Sequence, residues 1–169
     1  MNVTFHTLAS LATASVLSLN TSQSLFSVTA LKRYSVGFIL GVLIHGILDF
    51  LPHNYPLPSK IDLIFAIILF ISAIFLSQKQ NRVLIFVCFA GAIFPDIVDL
   101  APGILNKHLW IPVPQLSFKI FPWHWKEYSG SIYDRSRNFE SFVYHSLVFL
   151  IISLLIFLYR KKLFFVNPQ

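Results

Sequence analysis

The chain has 169 residues, of which 56% are hydrophobic and 12% charged, and a net charge of +6. A soluble domain needs far more polar surface to cover itself, so that class is excluded. The Lys and Arg residues flank apolar blocks instead of forming one basic stripe, which marks membrane orientation and excludes a nucleic-acid partner.

The apolar blocks, at 34–51, 61–76, 83–94 and 142–159, are nearly free of Lys and Arg. Crossing a hydrocarbon core takes roughly 20 apolar residues. The expected fold is therefore all-α, a polytopic membrane helix bundle forming a single integral membrane domain over 1–169. It has about five helices, four clear spans plus a weaker N-terminal one, and a long aromatic surface loop.

The first helix is expected over about 3–19. The apolar stretch at 3–28 lacks the preceding basic region of a signal peptide, its first cations being Lys32 and Arg33. Its Ser and Thr content leaves two further readings, an interfacial helix or one buried in the bundle. A polar stretch at 20–24 follows, and Lys32 and Arg33 precede a second helix that stops at Pro52. Three prolines in 52–58 make that segment a turn.

A third helix runs to about Ser77, a polar hairpin occupies 78–82, and a fourth helix runs over 83–100 until Pro102-Gly103 ends it. The segment 104–138 carries Trp110, Trp123, Trp125, Tyr128 and Tyr133. It is too aromatic to be disordered and is placed along the membrane surface, as a packed cap or as a substrate-contacting lid. A fifth helix over 140–159 closes on Arg160-Lys161-Lys162. Cys88, the single cysteine, reads as a small buried hydrophobe.

Ionisable groups are costly in such a chain unless compensated, so their positions are informative. His45, Asp49 and His53 lie four apart and would share a helix face, climbing about 12 Å if the helix reached the last of them. Asp96 and Asp99 lie three apart behind Pro95, and His145 opens the last helix. Two carboxylates this close repel unless a cation sits between them. Imidazole with carboxylate suits Zn, Mn or Fe.

The positive-inside rule, applied to five spans, places Lys32, Arg33, Lys79, Arg82 and the terminal cations on the cytoplasmic side. The candidates His6, His45, Asp49, His53, Asp96, Asp99, Glu140 and His145 then share one level at the opposite side. His6, His45, Asp49, Asp96, Asp99 and His145 are the expected metal ligands. Glu140 is a further ligand or catalytic group, and His53 a general acid or base. His108 and His124, in the aromatic loop, read as interfacial anchors.

At these residues the chain resembles the membrane-bound metal-dependent hydrolases. The resemblance rests on Phe5-His6-Thr7, on the run from Gly91 through Pro95-Asp96 to Asp99, and on Tyr144-His145-Ser146. The family's Asp-x-Asp is here Asp96-Ile97-Val98-Asp99, and Glu140 stands where the family carries a His-Arg. The spacing of His45 and Asp49 is more distantly similar to helical zinc phospholipases C and nucleases. What the resemblance implies is metal-dependent hydrolysis of an ester or phosphoester in a bacterial inner membrane; a membrane lipid or lipid-linked substrate is expected from the depth of the site and from the aromatic loop. The alternatives are an ion-binding or proton-relay protein, such as a small transporter or assembly factor, and a degenerate relative keeping a structural metal. The chain shows no internal repeat, which counts against a transporter.

Overall fold

The computed structural model describes residues 1–18, 27–108, 110–132 and 139–165. It contains α1 (Val3–Leu17), α2 (Val28–Phe50), β1 (His53–Asn54), α3 (Ser59–Leu76), α4 (Arg82–Asp99), α5 (Ala101–His108), β2 (Ser131–Ile132) and α6 (Phe139–Phe164). Short 3₁₀ turns occupy Lys79–Asn81 and Pro122–His124. Among the described residues the two-residue strands are the only β structure; they pair in parallel and tie the loop after α2 to the loop before α6, and 110–121 is irregular chain. The polar stretch expected at 20–24 and the end of the aromatic loop at 133–138 lie outside the described residues.

Four stretches, 28–50, 59–76, 79–99 and 139–164, are long and apolar enough to cross a membrane. On α3 and α6 the large apolar side chains point outward, with Ile64, Phe65, Ile68, Phe149, Leu150 and Leu154 all exposed. Polar residues such as His6, Ser10, Ser15, His45 and Ser141 are buried. Lipid tails are as apolar as Leu, so outward Ile and Phe cost nothing in a bilayer and small or hydrogen-bonded residues mediate helix contact.

Helix α1 occupies the middle, touching α2, α3, α4 and α6. Its 15 residues rise only about 22 Å, and Ala9, Ser10, Ala12, Ala14 and Ser15 are buried, so of the three readings of this segment the bundle-buried one describes it. Each buried hydroxyl is satisfied within the helix: Thr13 Oγ1 donates to the Ala9 carbonyl at 2.9 Å and Ser15 Oγ to Leu11 at 2.8 Å. The free amides of its first turn are met from another helix. Asp62 of α3 accepts from Val3 N at 2.7 Å and Thr4 N at 3.2 Å, a carboxylate against a helix N-terminus.

Helices α2 and α4 form the closest pair, and glycine permits it. A methyl at Gly41 would lie 2.6 Å from the Cys88 carbonyl oxygen and 2.8 Å from Ala92 N, and one at Gly91 2.3 Å from the Phe38 oxygen. Backbone thus packs on backbone in the small-residue manner of membrane helices.

Three boundaries differ from the sequence reading. Lys32 and Arg33 lie inside α2, which starts at Val28 because the Ser27 hydroxyl accepts the Ala30 amide at 3.1 Å and caps it. Pro102-Gly103 begins a helix instead of ending one: α4 breaks at Leu100 and α5 restarts, with Pro102 in the first turn where no amide is required. Helix α6 continues through Arg160, Lys161 and Lys162 to Phe164, as cations are favourable near a helix C-terminus.

Candidate metal centre

The parallel approach of α2 and α4 sets His45 and Asp49 opposite Asp96. Pro95 removes the amide that would bond the Gly91 carbonyl, loosening α4 one turn before Asp96. The neighbouring Ala92 carbonyl accepts the Nδ1–H of His45 at 2.6 Å. That bond assigns the tautomer, leaving Nε2 as the lone-pair nitrogen.

The fourth member comes from the aromatic loop. His124 ends the 3₁₀ turn at Pro122–His124, and its Nδ1–H donates to Asp99 Oδ2 at 2.9 Å. Asp99 also accepts Ile120 N at 2.8 Å and Phe121 N at 2.9 Å, so one carboxylate both anchors the loop and turns His124 inward. Gly46 leaves room for the loop, since a methyl there would meet the Trp123 ring at 2.5 Å.

Donor atoms of His45, Asp49, Asp96 and His124 all lie within 4.8 Å of one another. His45 Nε2 is 3.2 Å from Asp49 Oδ2, 3.6 Å from Asp96 Oδ1 and 3.4 Å from His124 Nε2. His124 Nε2 is 3.3 Å from Asp96 Oδ1 and 3.6 Å from Asp49 Oδ2. A tetrahedron with bonds of 2.0–2.1 Å has edges of about 3.3 Å, which five of the six donor pairs approach at 3.2–3.6 Å, so the cluster has the size to hold a zinc-sized ion. Each imidazole is oriented from behind, by a carbonyl or a carboxylate, as metal-binding histidines are.

His124 lies outside the spans. Burial discourages its proton, but hydrogen bonds to Asp49, Asp96 and Asp99 outweigh that and push the imidazole up to about 10. The carboxylates thus hold a cation at this point even when it is a proton.

The structure distributes the sequence candidates unevenly. His45, Asp49 and Asp96 meet in the cluster. His6 lies beside it: its Nε2 is 3.1 Å from Asp49 Oδ1, on the carboxylate's other oxygen, and its ring stacks on His45 at 4.1 Å. Asp99 acts through His124. His53 is turned away, with Nδ1–H donating to the Leu51 carbonyl at 2.6 Å and Nε2 accepting from Tyr55 or Ser131 hydroxyls at 3.1 and 3.2 Å. Burial lowers its imidazole to about 4, so it is neutral. His145 bonds the Ser141 carbonyl at 2.7 Å and packs on Phe5, on α6, away from the four donors. Glu140 is exposed at the start of α6.

His124 is the donor that the sequence reading put in the aromatic loop as an anchor. Nothing local distinguishes it, because its role depends on Asp99, 25 positions earlier. The loop itself folds back on α2 through Trp123 and caps the centre. No family model, curated protein or solved structure matches this chain.

Proposed function

We propose that the chain is a membrane-embedded, metal-dependent hydrolase acting on an ester or phosphoester near the lipid headgroups. The observation that carries the reading is the convergence of His45, Asp49, Asp96 and His124, with both imidazoles held so that Nε2 faces the other donors. Zn, Mn or Fe suits this donor set, and such an ion when bound lowers the pKa of a coordinated water. Asp96, with 31% of its side chain exposed, faces a cavity that also reaches Asp49, so the carboxylate edge of the centre is open to substrate. Tyr55 lines the same cavity and hydrogen-bonds His53, which gives that neutral imidazole a route to the reacting group as general base. Membership among the membrane-bound metal-dependent hydrolases is part of the proposal, as is a bacterial inner membrane with the site on the extracytoplasmic side. Supporting that orientation, Lys79, Arg82 and the α6 cations stand at the bundle end opposite the site, where Asn81 Nδ2 bonds the Lys162 carbonyl at 2.9 Å.

A second reading has its own observation. Four protein donors complete a tetrahedron, and closed sites are usually structural, whereas catalytic zinc keeps a position for water. In that case the ion would fasten loop to bundle without turnover. Metal analysis of the detergent-purified chain, followed by hydrolysis of a chromogenic phosphodiester with and without EDTA, separates the two. Stoichiometric metal with EDTA-sensitive turnover supports the hydrolase; metal without turnover supports the structural site; absence of metal overturns both.

A further inference from the structure

A cavity of about 520 Å³ opens where the start of α1, the 55–60 turn, α3 and α4 meet. Its polar side carries Asp49 and Asp96 of the candidate metal centre, Lys60, and Asp62, whose carboxylate is taken up by the Val3 and Thr4 amides. Elsewhere the wall is largely apolar. Phe89, Ile93 and Ile97 line it from α4 at four-residue steps, and Leu63 faces them from α3. Those steps cover eight residues of α4, about 12 Å along the helix.

The cleft is open to the surrounding membrane. Leu63 is 49% and Ile97 52% exposed, and α3 is held chiefly against α1, leaving a gap beside α4. A water-soluble phosphoester would find no use for such walls. An acyl chain coming from water would gain by burying against them, but a lipid already in the bilayer gains little there, so selection falls to the polar side. On that side a divalent ion would have its charge matched by Asp49 and Asp96, so the groups left to meet a phosphate are the ion itself, as a Lewis acid, and the Lys60 ammonium.

Resting on the proposed metal centre, we infer that the α3–α4 cleft admits a membrane phospholipid laterally, its acyl chain along Phe89, Ile93 and Leu63 and its phosphate towards Lys60 and the ion that Asp49 and Asp96 would hold.

Native mass spectrometry of the delipidated full chain in detergent, with phosphatidylglycerol added back, tests this alongside metal analysis of the same samples. The wild type should retain one phosphatidylglycerol per chain. Ile93→Trp, which fills the cleft, should weaken retention at least tenfold with metal content unchanged. Ile151→Trp is the control, because Ile151 lines a separate apolar groove between α1, α2 and α6; it should bind lipid as the wild type does. Should Ile93→Trp fail to fold, Leu63→Trp blocks the cleft from an exposed position. Equal retention in the cleft variant and the wild type, or equal loss in both Trp variants, overturns the inference while leaving the metal reading intact. Cleft-specific lipid loss in a protein without metal overturns the metal reading and the metal-held phosphate together. If removing the metal with EDTA weakens phosphatidylglycerol no more than diacylglycerol, the headgroup placement is overturned.

Discussion

Asp99 and His124, 25 residues apart, are joined by a 2.9 Å hydrogen bond that makes the aromatic loop part of the candidate metal centre. Because Asp99 also accepts two loop amides, its carboxylate fixes the loop backbone as well as the imidazole. Groups of this kind, behind the ligands, commonly matter 10–100-fold for metal affinity. Asp99→Asn should therefore weaken zinc binding by about one to two orders of magnitude without changing the number of ions bound, as read by competition with a chromogenic chelator. Unaltered affinity would mean that His124 is not a ligand.

Removing a donor should be harsher than disturbing its support. His45→Ala and Asp49→Ala are each expected to abolish stoichiometric metal in the purified protein. His145→Ala should retain it, because that imidazole is engaged with the Ser141 carbonyl on α6. Metal analysis of the three variants side by side checks both halves.

The helix pair that carries the centre depends on a bare backbone. Gly41→Ala places a methyl 2.6 Å from a carbonyl oxygen of α4, which backbone cannot yield cheaply. Such overpacking costs about 1–3 kcal/mol. The expected outcome is a lower melting temperature in detergent and a loss of metal affinity out of proportion to the small size of the change. Gly103→Ala, whose methyl would meet only a Gln115 side chain at 3.1 Å, should be far milder.

Metal binding should be steeply pH-dependent. His124 is held protonated up to about pH 10 by the carboxylates, so an ion must displace that proton. One proton released per ion makes affinity rise about tenfold per pH unit through the neutral range. The metal-free protein behaves in the opposite sense. With a folded pKa raised from 6.5 to about 10, the His124 contribution to stability is fully present below pH 6.5 and is lost as pH rises through about 10. Zinc titrations at two pH values, with melting curves of the EDTA-treated protein, read both slopes. His124→Gln should flatten each.

His53 predicts a different window. Its imidazole is neutral in the fold, lowered to about 4 from 6.5, so its contribution to stability is present above pH 6.5 and is lost as pH falls towards 4. Melting temperatures of wild type and His53→Gln should converge across that interval. A constant difference between them would show that His53 does not titrate there.

Much of this protein is legible from one sequence. Long apolar blocks specify helices because a bilayer leaves the backbone no other partner, and four of them recur as stretches able to span. Helical periodicity likewise puts His45 and Asp49 on one face, and both reach the centre. Position along a helix says which residues share a face, but not which neighbour that face meets. For that reason Asp96 joined the cluster while His145, equally polar and equally placed in sequence terms, packed against Phe5 instead. The Ser and Thr content of α1 left a bundle-buried helix among its readings, and in the fold those hydroxyls satisfy themselves by bonding back along the helix, which lets it run through the middle of the bundle.

The sequence by itself determined the helical, membrane-suited fold and pointed to three of the four clustered groups, since composition and helical spacing are local properties of the chain. Only the tertiary structure decided that His124 joins them, that Asp99 stands behind it, and that the cavity beside α3 reaches Asp49 and Asp96. Those facts depend on glycine-mediated contact between α2 and α4 and on a loop returning across 25 residues, and no local pattern encodes a distance between segments that the chain brings together only on folding.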